Sequence, residues 1–80
     1  MSKWTKFRAK LDSGQSDADL DFDTMVAYLE RLGFRHRIRG DHHVFTLPGI
    51  VNLLNLQPAN GKVKAYQAAQ VRDYLRDAGL

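Results

Sequence analysis

Leu32-Gly33-Phe34-Arg35-His36-Arg37-Ile38-Arg39-Gly40-Asp41-His42-His43-Val44-Phe45-Thr46-Leu47 decides how this chain is built. Up to Leu32, the apolar residues Phe22, Met25, Val26, Leu29 and Leu32 recur at helical spacing, which gives a helix one buried face. Gly33 then offers the left-handed conformation that closes helices. From Phe34 the period drops to two. Phe34, His36 and Ile38 alternate with Arg35, Arg37 and Arg39, the pattern of a strand with one buried and one wet face. Gly40-Asp41 is a turn signal, and Val44-Phe45-Thr46-Leu47 reads as the returning strand. A two-residue turn pairs Arg39 with His42 and Ile38 with His43. A three-residue turn, Gly40 to His42, pairs Arg39 with His43 instead, and the sequence leaves both registers open.

Working outward, Pro48-Gly49 predicts a second tight turn, since Pro presets its own φ and Gly permits a positive one. Residues 50–56 read as a third strand, ended by Pro58, and Asn60-Gly61 falls in a basic loop with Lys62 and Lys64. The last helix is expected over residues 66–78, with Ala68, Val71, Leu75 and Ala78 inward and Gly79 near its end. Upstream, Asp21 is placed to cap the helix that follows it. Residues 13–17 read as a polar linker. Trp4, Phe7 and Leu11 space out as a short amphipathic helix over residues 3–11, with Ser2 as its cap and packing of Trp4 and Phe7 expected. The expected fold is α+β: an α-β-β-β-α domain over residues 20–80, preceded by a helical extension and linker over 1–19. Its three strands form an antiparallel sheet with the two helices on one face. The double-stranded-RNA-binding domain has the same element order, though a fold does not settle a function.

Eighty residues make one small domain with a modest core. With 44% hydrophobic and 26% charged residues, the composition is that of an ordinary globular protein. The absence of cysteine excludes disulfides and thiolate chemistry. No apolar run approaches the roughly 20 residues that span a bilayer. No hydrophobic stretch follows the basic N-terminal residues, so no membrane association and a cytoplasmic location are expected. The net charge of +3 conceals an asymmetry. Lys3, Lys6, Arg8 and Lys10 open the chain; Asp12, Asp17, Asp19, Asp21, Asp23 and Glu30 follow. Then come Arg31, Arg35, Arg37, Arg39, Lys62 and Lys64, against Asp41 alone. A basic middle is the electrostatic footprint of a polyanion binder, or simply a solvated face.

Imidazole accepts and donates protons near neutral pH, and arginine grips phosphate. Together at a hairpin tip, where both imidazoles meet solvent, they are what phosphodiester cleavage needs. A histidine would take the proton from a ribose 2′-hydroxyl, and arginine would stabilise the charge growing on phosphate. Competing with this are nucleic-acid binding without chemistry, a protein-interaction domain of the same fold, and a structural pair with one imidazole in the core and one on the surface. Metal ligation by His36, His42 and His43 fits poorly: adjacent strand residues point to opposite faces, and only Asp41 lies near to complete a site. No metal and no cofactor are expected.

Leu32-Gly33-Phe34 followed by Arg37-Ile38-Arg39-Gly40-Asp41-His42-His43-Val44-Phe45 resembles the HicA toxin family. In that family a first helix ends in Gly plus an aromatic, and an Arg-bearing strand leads into Gly-Ser-His-His or Gly-Ser-Asn-His. The ending Gln70-Val71-Arg72, then Leu75-Arg76-Asp77-Ala78-Gly79-Leu80, is similar to the family's last helix and its Ala-Gly-Leu close. The resemblance covers residues 20–80. It implies a double-stranded-RNA-binding-like fold and an mRNA-cleaving endoribonuclease toxin, held inactive by a HicB-type antitoxin. It implies His43 as the catalytic residue, with His42, Asp41 and Gly40 supporting it. Arg37 matches the family's strand Arg, and Phe45 its aromatic after the catalytic His. Arg35, Arg37 and Arg39 are then the RNA contacts, extended by Lys62 and Lys64. Oligomeric state and RNA target are not implied. The chain departs from the pattern at Asp41, where the family has Ser. A carboxylate there can weaken phosphate binding, or orient a histidine and raise its pKa. Ala59 and Asn60 replace a His common after the third strand, and residues 1–19 lie outside the family's core.

Overall fold

The computed structural model describes residues 2–80. Helix α1 spans Lys3–Ser13, with the Ser2 hydroxyl accepting from the Thr5 N–H at 3.1 Å. A short 3₁₀ turn, Asp17–Asp19, lies within the expected linker region and leads to the fully buried Leu20. Helix α2 spans Phe22–Arg31 behind the cap Asp21, whose carboxylate accepts from the Thr24 N–H at 2.9 Å. It ends as the sequence predicts. The Gly33 N–H donates to Glu30 and the Phe34 N–H to Leu29, with Gly33 at φ 103°, which is a Schellman closure.

Strands β1 (Arg35–Arg39), β2 (His42–Thr46) and β3 (Leu53–Leu56) form one antiparallel sheet in that order. Arg39 pairs with His42 and Ile38 with His43, so the turn is the two-residue one. Only Gly40 of its two central residues has a positive φ, 62°, as a type II′ turn requires. β3 is shorter than expected. Thr46 already pairs with Leu53, so residues 50–52 have no strand to join. The Leu47–Ile50 turn and the Tyr74 hydroxyl, donating to the Asn52 carbonyl at 2.6 Å, hold them in a loop. Asn60-Gly61 is a tight hairpin turn within the expected basic loop. Both residues have positive φ, 52° and 76°, the type I′ geometry that Asn-Gly favours. They join β4 (Pro58–Ala59) to β5 (Lys62–Val63), and this hairpin docks on the start of α2. The docking bonds are Phe22 N–H to Gly61 O and Val63 N–H to Leu20 O, each 2.9 Å. Helix α3, Ala65–Asp77, ends like α2, with Gly79 and Leu80 donating back to Arg76 and Leu75. Ala78 is only half-buried, since the helix has stopped before it.

One face of the sheet meets α2 and α3. Phe45, Leu54 and Leu56 pack there with Phe22, Met25, Leu29, Ala68, Val71 and Leu75. The extension is part of this core: Phe7 and Leu11 are buried in it, and Trp4 and Phe7 stack near Tyr28. Two arginines tie α1 down. Arg72 donates to the Leu11 carbonyl at 3.0 Å and pairs with Asp17 at 2.8 Å. Arg8 bridges Asp12, the Tyr28 hydroxyl and the Leu80 carbonyl. Leu11→Ala is therefore expected to cost about 2–5 kcal/mol, as for any large-to-small change in a packed core. A chemical denaturation midpoint that does not fall would show α1 to be dispensable.

Candidate functional site

The register sorts the histidine hairpin into two faces. His36, Ile38, His43 and Phe45 share the helix-covered side; Arg35, Arg37, Arg39 and His42 share the open side. The structure thus does not bring His43 and the strand arginines together on one face. The reason is the two-residue turn: alternation then places Arg39 opposite His42 and leaves His43 opposite Ile38.

On the open face, the arginines follow each other every second residue, about 6.7 Å apart along an extended strand. All three are exposed, and no ion pair engages them among the described residues. His42 belongs to a polar chain on this face. Its Nδ1 lies 3.2 Å from Asn55 Oδ1 and its Nε2 lies 3.3 Å from Gln57 Nε2. Gln57 Oε1 in turn accepts from Lys64 at 3.0 Å. Both ring nitrogens of His42 are therefore occupied, and Asp41 sits 3.7 Å from its Nε2. Lys62 turns away to Asp19, 3.0 Å distant. With Lys10 on its other oxygen, Lys62 holds the Asp19 carboxyl below the usual carboxylate range, the Lys62 hydrogen bond foremost.

His43 is half-buried rather than solvated at a tip. Its ring makes a T-shaped contact with Phe22 at 4.7 Å and stacks on His36 at 5.1 Å. His36 lies flat on Phe45, with centroids 4.4 Å apart and planes 8° apart. The two imidazoles are joined, His36 Nε2 to His43 Nδ1, at 2.9 Å. Glu30, in the last turn of α2, places Oε2 3.4 Å from His36 Nδ1. The far nitrogen of His43, Nε2, has no hydrogen bond among the described residues. No side-chain nitrogen or oxygen among the described residues that are not exposed is both sealed from solvent and unpartnered, so His43 Nε2 keeps contact with solvent. Burial first, and His36 second, push the His43 imidazole below its ordinary value of 6.5. Asp23 and Asp41 pull the other way and are outweighed. Of the two effects a carboxylate at Asp41 can have, the raising of a histidine pKa acts on His43 but does not prevail. The lowered value favours the uncharged ring at neutral pH.

Sequence reasoning placed His36 on the inner face but gave it no part beyond metal ligation, and it gave Glu30 no part at all. The parity of the strand could have found His36, since Phe34, His36 and Ile38 share a side. Glu30 had no such signal, because its reach depends on how α2 lies over β1. No group of three or more His, Cys, Asp or Glu side chains is gathered for a metal ion among the described residues. No family model, curated protein or solved structure matches the chain. No helix among the described residues is long and apolar enough to cross a membrane.

Proposed function

We propose that this protein is a HicA-like endoribonuclease that cleaves mRNA by histidine acid–base chemistry, without a metal, on a double-stranded-RNA-binding-like fold. The observation that carries it is the state of His43: one ring nitrogen is held by His36, and the other is free, uncharged at neutral pH and open to solvent. Such a nitrogen can take the proton of a ribose 2′-hydroxyl. The 2′ oxygen then attacks the neighbouring phosphorus, and the 5′ oxygen leaves and takes a proton from solvent. In this reading the protein acts in the cytoplasm and is restrained by a HicB-like antitoxin whose acidic groups cover the hairpin. The test is purified protein against mRNA in EDTA. Cleavage should persist; activity that returns only with added metal would replace the mechanism with metal-assisted hydrolysis.

One observation favours a second reading, RNA binding without cleavage. The unpaired arginines lie on the face that His43 does not share. Both readings use Arg37 and Arg39 as phosphate contacts, which carry no base code. Alanine at either is expected to weaken binding alike for all sequences, and to flatten the salt dependence by about one unit of slope per lost contact. Titrations at several salt concentrations measure this. An unchanged slope in both variants would assign the arginine face to something other than RNA.

A further inference from the structure

Of the three groups in the Glu30–His36–His43 line, only the last is needed by the cleavage chemistry just described. We propose that Glu30 and His36 are positioning residues that hold His43 in the tautomer with hydrogen on Nδ1, leaving a bare lone pair on Nε2 as the working base. This rests on the cleavage reading, but its main test does not.

Each assignment leads to the next. The Glu30 carboxylate, 3.4 Å from His36 Nδ1, has only acceptors and so favours the hydrogen on that nitrogen. A neutral His36 then has a bare Nε2, which can only accept. The 2.9 Å contact therefore needs the hydrogen on His43 Nδ1, and His43 Nε2 is left as an acceptor facing outward. Free imidazole has no such constraint. The ring planes are fixed as well: Phe45 lies under His36, and Phe22 meets His43 in a T-shaped contact. When Nε2 receives a proton, His43 becomes charged. Besides His36 on β1, the charged groups facing His43 are Asp23 on α2 and Asp41 in the turn, and both favour that charge. The logic is that of a carboxylate orienting a catalytic imidazole, extended by one ring.

The test is nitrogen-15 imidazole NMR on the full, RNA-free chain above the titration range. His36 and His43 are both expected to show protonated Nδ1 and bare Nε2. Glu30→Ala removes a half-exposed side chain and should leave the fold intact. It is expected to move His43 toward the Nε2–H form and to lower RNA cleavage by about 10-fold, the lower end for partners that orient a working imidazole. His36→Gln keeps a polar group near the same place and removes the imidazole that disfavours a charge on His43. The acid limb of its pH–rate profile should therefore rise toward 6.5, the ordinary value. A bare Nδ1 on His43 in the unaltered protein, or a tautomer indifferent to Glu30→Ala, overturns the proposal. The predicted tautomers in a protein that cuts no RNA would support the positioning and overturn the nuclease reading alone.

Discussion

His43→Ala is expected to lower RNA cleavage by about 10²–10⁴-fold, the usual cost of losing a general acid–base group, and to relieve growth arrest on induction. The ring is half-buried against Phe22 and His36. Truncation therefore removes packing as well as chemistry, and costs about 1 kcal/mol, the typical point-mutant figure. His43→Gln retains most of the volume and separates the two effects. Both variants should keep the native circular dichroism while losing cleavage. His42→Ala should be much milder, because both nitrogens of that ring are tied to Asn55 and Gln57. A folded His43→Ala protein that still cuts at the native rate would remove the assignment, and a greater loss at His42 would move the chemistry to the open face. In the unaltered protein the acid limb of any cleavage should fall below 6.5, because burial and His36 both disfavour the imidazolium.

Phe45→Ala should be the most damaging substitution for folding. Phe45 is completely buried at the centre of β2, paired with His36 on one side and Leu54 on the other. Replacing a buried Phe by Ala costs about 3–5 kcal/mol. A domain of this size has only about 4–12 kcal/mol in all, so much of the molecule would be unfolded under mild denaturant. Urea titration gives the midpoint, which should drop with little change in slope. The same ring is the floor under His36, so any folded fraction should also lose the His36–His43 hydrogen bond. A midpoint within reach of the unaltered protein's would mean that the sheet is held by other contacts.

Much of this was legible in the residues because the rules involved are short-ranged. Ser2 and Asp21 cap their helices as their side chains allow. Gly33 and Gly49 take positive φ where a helix closes and a type II turn bends. The alternation from Phe34 to Arg39 forms a strand, and the apolar spacing from Phe22 to Leu29 names a buried face. That adjacent His42 and His43 must face opposite ways also follows from the backbone alone.

The site itself was less legible. The hairpin register was open in the sequence, since Gly40-Asp41 fits two turns; the sheet resolved it by pairing Arg39 with His42 and setting His43 against Leu56 of β3. That choice parts His43 from the arginines and gives it His36. The third strand begins late because β2 ends at Thr46, and Asn60-Gly61 becomes a hairpin because residues 20–22 offer it hydrogen bonds. Residues 2–19 join the core through Phe7, Leu11 and the Arg72–Asp17 pair. What the sequence determined by itself was which segments curl or extend and which side of each is apolar, since these depend on neighbours a few residues away. Only the tertiary structure decided which faces meet, and so which histidine has a carboxylate behind it. Glu30, His36 and His43 become one line of contacts through the lie of α2 over the first two strands, set by burial of the whole core rather than by any local pattern.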